Sequence, residues 1–262
     1  LSCDKYADLW DVLFDSFEKY WADCPFDIYL VSNSIISERS FVTNLNVDES
    51  LSWSDGLISA LQMLGEKYTH CLLTLEDLPL VGSVDQSVLW NSMTEFVRMD
   101  GRYLSFYSQG AITHSKRVNR FFGELHDNLI YRPTAVYAFW KITALKSILR
   151  PGENAWEFER YGAIRSENQS GYYQSYKNTF QAVNCVIKGK WKSSSLKRLR
   201  HVGFSVEPGS RMTLERKEEL RLKVYTLLFI FYVRYFPLPQ RIKRDLVFSL
   251  KGIDIESLRS EL

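Results

Sequence analysis

The sequence predicts an α/β protein, a mainly parallel sheet flanked by helices, with a C-terminal helical appendage. Three observations carry this. Within the first 80 residues, short β-rich runs alternate with amphipathic helical stretches, the pattern of crossover connections in a parallel sheet. Three of those runs end on polar groups, at Cys3-Asp4, Ser32-Asn33 and Glu76-Asp77, where open α/β sheets bind ligands. The last fifty residues hold one long apolar helical run. With 262 residues, 45% hydrophobic and 24% charged, the chain is neither disordered, collagen-like nor a small disulfide scaffold. Its length fits one large domain plus an extension, read as residues 1–205 and 206–262.

Residues 7–21 carry a helical apolar stripe of Leu9, Leu13, Phe17 and Tyr20, widened by Trp10, Phe14 and Trp21. Asp8 is a candidate N-cap, and Cys24-Pro25 ends the helix. Strands are predicted over 27–33 and, more weakly, 41–45. A helix starts at Ser54, with Asp55 in its first turn and Leu57, Leu61 and Leu64 on one face. A strand over 70–75 runs straight into Glu76-Asp77. Beyond it, the pattern gives a helix over 88–99, a strand over 102–107, a mixed stretch over 108–130 and a helix over 138–149 broken by Pro151-Gly152. A short helix over 155–161 and a strand over 182–187 follow. Leu1 to Asp4 read as the last turn of a strand that begins upstream, so the chain is expected to be a piece of a longer protein.

Residues 213–236 form the long helical run, nearly all apolar from Leu222 and ended by Pro237 and Pro239. With Lys223 and Arg234 inside it, the apolar part falls short of the ~20 residues a bilayer requires. Three readings stay open: a packing helix, an interface to a neighbouring domain, or an interfacial membrane helix.

Charge is unevenly distributed. Residues 1–80 carry a net −10 and residues 81–262 a net +12, which suits a cation and a phosphate as well as an ordinary balanced surface. The cysteines at 3, 24, 71 and 185 have no metal-ligand spacing and imply a reducing compartment. The four histidines show no zinc pattern. Walker, dinucleotide-glycine and nucleophile-elbow motifs are absent.

Adjacent acids at the mouth of an apolar strand are costly unless compensated, so Glu76-Asp77 is either a solvated turn or a site for a hard cation such as Mg²⁺ or Mn²⁺. Trp156-Glu157-Phe158-Glu159 pairs two carboxylates with two aromatic rings. It is either an amphipathic turn with Trp156 in the core or a sugar site whose acid takes a hydroxyl proton. Lys188-Gly189-Lys190-Trp191-Lys192 and Lys197-Arg198-Leu199-Arg200-His201 form a basic stretch. It suits a solvated loop, a departing pyrophosphate or a nucleic-acid backbone; no nucleic-acid motif accompanies it, so the last is the weakest of the three and nucleic acid is not expected as a partner.

Taken in order, these strings resemble a group of bacterial surface-polysaccharide glycosyltransferases of GT-A type. The likeness rests on Ser2-Cys3-Asp4-Lys5-Tyr6 with Asp8-Leu9-Trp10, Tyr20-Trp21 with Cys24-Pro25, and Ile28-Tyr29-Leu30-Val31-Ser32-Asn33. It continues through Ser52-Trp53-Ser54-Asp55 with Leu57 and Ala60-Leu61, then Leu73-Thr74-Leu75-Glu76-Asp77, Trp140, Trp156-Glu157-Phe158-Glu159 and Gly189-Lys190-Trp191. It covers roughly residues 1–200. The resemblance implies a GT-A-like sheet and a UDP-sugar donor held at the strand ends. Cys3 and Asp4 would lie near the base with Asn33, Asp55 near the nucleoside, and Lys188 and Lys190 near the pyrophosphate. Glu76 and Asp77 would stand, shortened, where many such enzymes carry an Asp-x-Asp motif for Mn²⁺ or Mg²⁺. Glu157 or Glu159 would be the catalytic base, with a glycan or lipid-linked glycan as acceptor. Such domains also occur within bifunctional O-antigen polymerases, including galactofuranosyl-transferring ones, which implies a second glycosyltransferase domain as partner. The implied location is cytoplasmic, at the inner membrane face, with peripheral contact through the C-terminal helix.

Overall fold

The computed structural model describes residues 1–107 and 114–260 and is a mixed α/β protein. A 3₁₀ turn, Asp4–Leu9, leads into α1 (Trp10–Tyr20). Strands β1 (Ile28–Ser32) and β2 (Val42–Asn46), helix α2 (Trp53–Met63), strand β3 (His70–Leu73) and helix α3 (Gln86–Arg98) follow. The middle of the chain contributes β4 (Tyr103–Ser105), β5 (His114–Arg117), β6 (Phe122–Leu125) and β7 (Ala138–Lys141), then α4 (Ile142–Ile148) and α5 (Ala155–Arg165). The remainder contains β8 (Tyr172–Ser175), β9 (Val186–Ile187), β10 (Lys190–Trp191), α6 (Ser193–His201), α7 (Arg216–Tyr235), α8 (Gln240–Leu250) and α9 (Ile255–Ser260).

Contacts divide the chain into two compact units. The first comprises Leu1–Glu49, Thr74–Asp85 and Phe180–Leu228, and the second Ser50–Leu73, Gln86–Thr179 and Phe229–Leu262. Residues 206–262, read from sequence as one extension, therefore fall partly in each.

In the first unit, β1 and β2 pair in parallel from Ile28↔Val42 to Ser32↔Asn46. The start of the chain lies beside them, with Ser2 N donating to Val31 O at 2.9 Å and Leu1 N to Thr74 O at 3.0 Å. Helix α1 buries Trp10, Val12, Leu13, Phe14 and Phe17. Its Ser16 hydroxyl is buried among them yet satisfied, accepting from Leu80 N at 2.9 Å. Asp8 does not cap α1; that position belongs to Leu9, and Asp8 is drawn off by an ion pair with Arg211. A core of Leu9, Val12, Cys185, Val186, Trp191, Leu196 and Leu199 ties the 180–206 segment to the beginning of the chain.

The second unit holds a six-stranded sheet in the order β3-β7-β4-β8-β6-β5. This corrects the expectation of a mainly parallel sheet: of its pairings only β4 with β8 is parallel. Local alternation in the first 80 residues suggested parallel crossovers, but β3 pairs antiparallel with β7, a strand from the middle of the chain. The helix predicted over 138–149 is also corrected. Residues 138–141 are β7, with Ala138, Phe139 and Trp140 buried, and only Ile142–Ile148 is helical. Burial on both faces outweighs helix propensity there. Part of the mixed stretch, residues 108–113, lies outside the described residues. Helix α2 is capped by Ser52, whose side chain accepts from Asp55 N, so the helix starts one residue before the predicted Ser54. Helix α5 packs with the end of α7, α8 and α9 around Ile130, Ala163, Ile164, Val233, Phe248 and Leu258. Among the described residues, no helix is long and apolar enough to cross a membrane.

Candidate functional site

The strand exit at Glu76-Asp77 is pinned by the chain that returns to it. Cys185 N donates to Asp77 O at 2.8 Å, Val183 N to Pro79 O at 3.1 Å and Val81 N to Gln181 O at 2.7 Å. These bonds continue a short antiparallel pairing through Leu80 and Ala182. Cys185 O then accepts from Lys192 N at 2.8 Å, so the backbone of one residue holds both Asp77 and a lysine. Next to it, Trp191 pairs with the 212–214 segment through Trp191 N to Met212 O and Leu214 N to Trp191 O, both 2.8 Å. That pairing delivers Arg211.

Two carboxyls in sequence and largely withdrawn from water repel one another. Desolvation, then the charge of Glu76, raises the Asp77 carboxyl to about 7, while Arg211 and Lys192 act in the opposite direction. Desolvation raises Glu76 too, against a hydrogen bond from Ser2 and the charge of Arg211. Asp77 Oδ1 and Thr74 Oγ1 are buried without a hydrogen-bond partner. Burial, then Glu76, raises the neighbouring Tyr6 phenol, and the same two causes in the same order raise the Cys3 thiol. The Arg211 guanidinium lies 4.6 Å over the Tyr6 ring, bonds Asp8 at 2.7 and 2.8 Å, and donates to Gly189 O and Lys5 O. The first unit thus gathers Cys3, Tyr6, Glu76, Asp77, Lys192 and Arg211 into one electrostatically linked cluster.

A hard cation fits the donor chemistry of the acid pair. The Asp77 Oδ1 atom is buried without a hydrogen-bond partner, and desolvation raises both carboxyls, so added positive charge would favour their ionised forms. Among the described residues, no group of three or more His, Cys, Asp or Glu side chains is placed to hold a metal. Glu76 and Asp77 therefore offer two hard oxygen donors, leaving the rest of a shell to water and to phosphate oxygens of a ligand.

Several residues singled out from sequence are committed to the fold. Asp4 Oδ1 accepts from Asn33 N at 3.0 Å and from the N–H groups of Ser34 and Ile35 at 3.1 Å. Desolvation raises its pKa, but the three backbone donors together outweigh that and hold it below the ordinary value. Asn33 answers through Oδ1, which accepts from Asp4 N. The two lock the 3₁₀ turn to the exit of β1. Asp55 bonds Ser52 Oγ at 2.6 Å and accepts from Gly152 N at 3.0 Å, and the Ser52 bond chiefly lowers its pKa. It belongs to the second unit, whereas Cys3 and Asp4 belong to the first. Lys190 Nζ bonds Glu218 at 3.0 Å. Lys188 is exposed in the two-residue turn between β9 and β10.

That turn places both central residues at positive φ, 51° for Lys188 and 76° for Gly189, the geometry of a type I′ hairpin that favours Asn-Gly. Lysine is strained there. Lys188→Asn is expected to stabilise the protein by about 0.5–1 kcal/mol in urea denaturation. A destabilised variant would show that the lysine side chain holds the turn by another contact.

The second unit separates the two glutamates of α5. Glu157 completes a capping box, with Asn154 N donating to its Oε2 at 2.9 Å and Asn154 Oδ1 accepting from Glu157 N at 3.0 Å. Glu159 lies on another side of the helix and accepts from Ala135 N through Oε1 at 3.0 Å. The residue keeps some solvent access, but dense surroundings raise its carboxyl to about 7 by desolvation. Tyr103 and Thr134, hydrogen-bonded to each other at 3.0 Å, lie close by. The start of α5 is anchored by Glu153, whose carboxylate takes two 2.6 Å bonds from the buried Arg165. Trp156 is 66% exposed, so its placement in the core is not realised.

Sequence reasoning missed Arg211, and named Tyr6 and Lys192 only within longer strings and without a role. No protein family matches the chain, and no curated protein matches it.

Proposed function

We propose that this chain is a glycosyltransferase that moves a sugar from a UDP-linked donor to a growing surface-polysaccharide glycan, with inversion. The observation that carries the reading is the half-buried Glu76-Asp77 pair, with Asp77 Oδ1 unpartnered and Arg211 and Lys192 beside it. Carboxylates and fixed cations in one place match a nucleotide diphosphate accompanied by a divalent cation better than either does alone. Glu76 and Asp77 would hold Mn²⁺ or Mg²⁺, which when bound offsets the charge developing on the departing diphosphate. Arg211 and Lys192 add fixed positive charge for the same phosphates, and Tyr6 and Cys3 would line the nucleoside. The GT-A-like character of the fold is part of this reading and draws on the motif order in residues 1–200.

Transfer with inversion also requires one base for the acceptor hydroxyl, which loses its proton as its oxygen attacks the anomeric carbon and the bond to UDP breaks. The resemblance gives this role to Glu157 or Glu159, both in the second unit; of the two, Glu159 has the carboxyl raised to about 7, whereas Glu157 is occupied as a helix cap. The reading places the enzyme in the cytoplasm, at the inner membrane face. A second reading, a non-catalytic glycan- or partner-binding domain, draws on the exposed Trp156 ring.

Calorimetric titration of UDP with and without Mn²⁺ tests the proposal. Binding that needs the cation in the wild type and is at least about tenfold weaker in Asp77→Ala is expected. Absence of UDP binding in both conditions overturns the donor site and favours the second reading.

A further inference from the structure

Helix α7 has a single buried residue, Val233. Leu220, Val224, Leu227, Leu228, Phe231 and Tyr235 are all exposed, Leu227 by 58% and Phe231 by 59%. They recur three or four residues apart and so form one continuous stripe along the helix. Among the described residues nothing covers this face.

Charge decides what does cover it. At 3.6 residues per turn, Arg216, Lys223 and Arg234 fall along one margin of the stripe and Arg221 along the other, and all four are exposed. Glu218 and Glu219 fall away from the stripe, engaged with Lys190 and Ser194. A second copy of the chain laid face to face on this stripe would oppose basic margins to basic margins, with no acid to pair them. A surface that is apolar inside and anionic at its edge complements both features. The stripe spans roughly 22 Å at 1.5 Å per residue, and the helix is not apolar enough to cross a bilayer.

We infer that α7 lies in the plane of an anionic lipid bilayer, with its apolar stripe among the acyl chains and its arginines and lysines at the headgroups. This does not rest on the glycosyltransferase reading, and UDP titration and vesicle binding fail independently.

Co-sedimentation with vesicles tests it, using phosphatidylcholine alone and phosphatidylcholine with roughly one-third phosphatidylglycerol. Binding at least about tenfold tighter on the anionic vesicles, and weakened by salt, is expected, since each basic residue contributes roughly fivefold. Leu227→Gln with Phe231→Gln should lower it about tenfold or more with an unchanged circular dichroism spectrum, because both side chains are exposed. Arg221→Gln with Lys223→Gln should lose most of the anionic preference. Equal or no binding on the two vesicle types overturns the inference, as does binding indifferent to both variants. A concentration-dependent dimer abolished by the Leu227/Phe231 variant, without vesicle binding, overturns it in favour of contact between copies.

Discussion

Asp77→Asn is expected to make the protein more stable at pH 8 while abolishing cation-dependent UDP binding. The folded Asp77 carboxyl titrates at about 7 against an ordinary 3.8, raised by desolvation and then by Glu76. A raised acid binds more protons in the folded than in the unfolded state between these values. Its contribution to stability is therefore complete below about pH 4 and lost as pH rises through about 7. Above that, the folded chain must hold a second negative charge against Glu76. Asparagine keeps the shape without the charge, so the variant should gain about 2–4 kcal/mol over wild type in urea denaturation at pH 8. The gain should vanish at pH 4. Mn²⁺ should raise the wild-type midpoint at pH 8 and leave the variant unmoved, since only a ligand of the folded state shifts the equilibrium. A variant less stable than wild type at pH 8 would mean that Arg211 and Lys192 already neutralise the pair and that no cation is required. A group kept at a net cost to stability is the trade expected of a binding site rather than of a turn.

Legibility in the sequence follows the range of the interactions. Helix α1 and strand β1 were readable because a stripe such as Leu9, Leu13, Phe17 is a local property of the chain. The sheet order was not, because β7 and β8, both later in the chain, join β4 in opposite orientations and nothing in either strand names its neighbour. Residues 138–141 also show how tertiary context overrides pattern: a short apolar run next to a helix reads as more helix until both its faces are buried. The acid pair was legible by position, at the end of an apolar run. Its cationic neighbour Arg211 was not, since it arrives through a pairing with Trp191 that has no periodic signature. Some information went unread. Asn154 and Glu157 have the three-residue spacing of a capping box, and that spacing alone distinguishes Glu157 from Glu159. The apolar run of α7 was legible as a helix, but which of its faces is left exposed among the described residues is visible only in the structure.

Glu159→Gln is expected to lower turnover by roughly 10²–10⁴-fold while leaving UDP affinity within about twofold. The side chain keeps its size and its bond from Ala135 N, so the loss reports on the proton rather than on packing. Desolvation raises this carboxyl to about 7, and a base works only when deprotonated. Wild-type turnover should therefore climb as pH rises through about 7 and level off above it, a limb that the glutamine variant lacks. Glu157→Gln makes the contrast. Glutamine also completes a capping box, so that variant should keep turnover and stability near wild type, while Glu157→Ala should cost about 1 kcal/mol through the helix start alone. If Glu157→Gln removes turnover and Glu159→Gln does not, the roles are exchanged, and the exposed cap rather than the desolvated acid takes the proton. If neither variant changes turnover, the acceptor proton goes elsewhere, and the raised carboxyl of Glu159 serves the packing of α5 against the 134–135 segment.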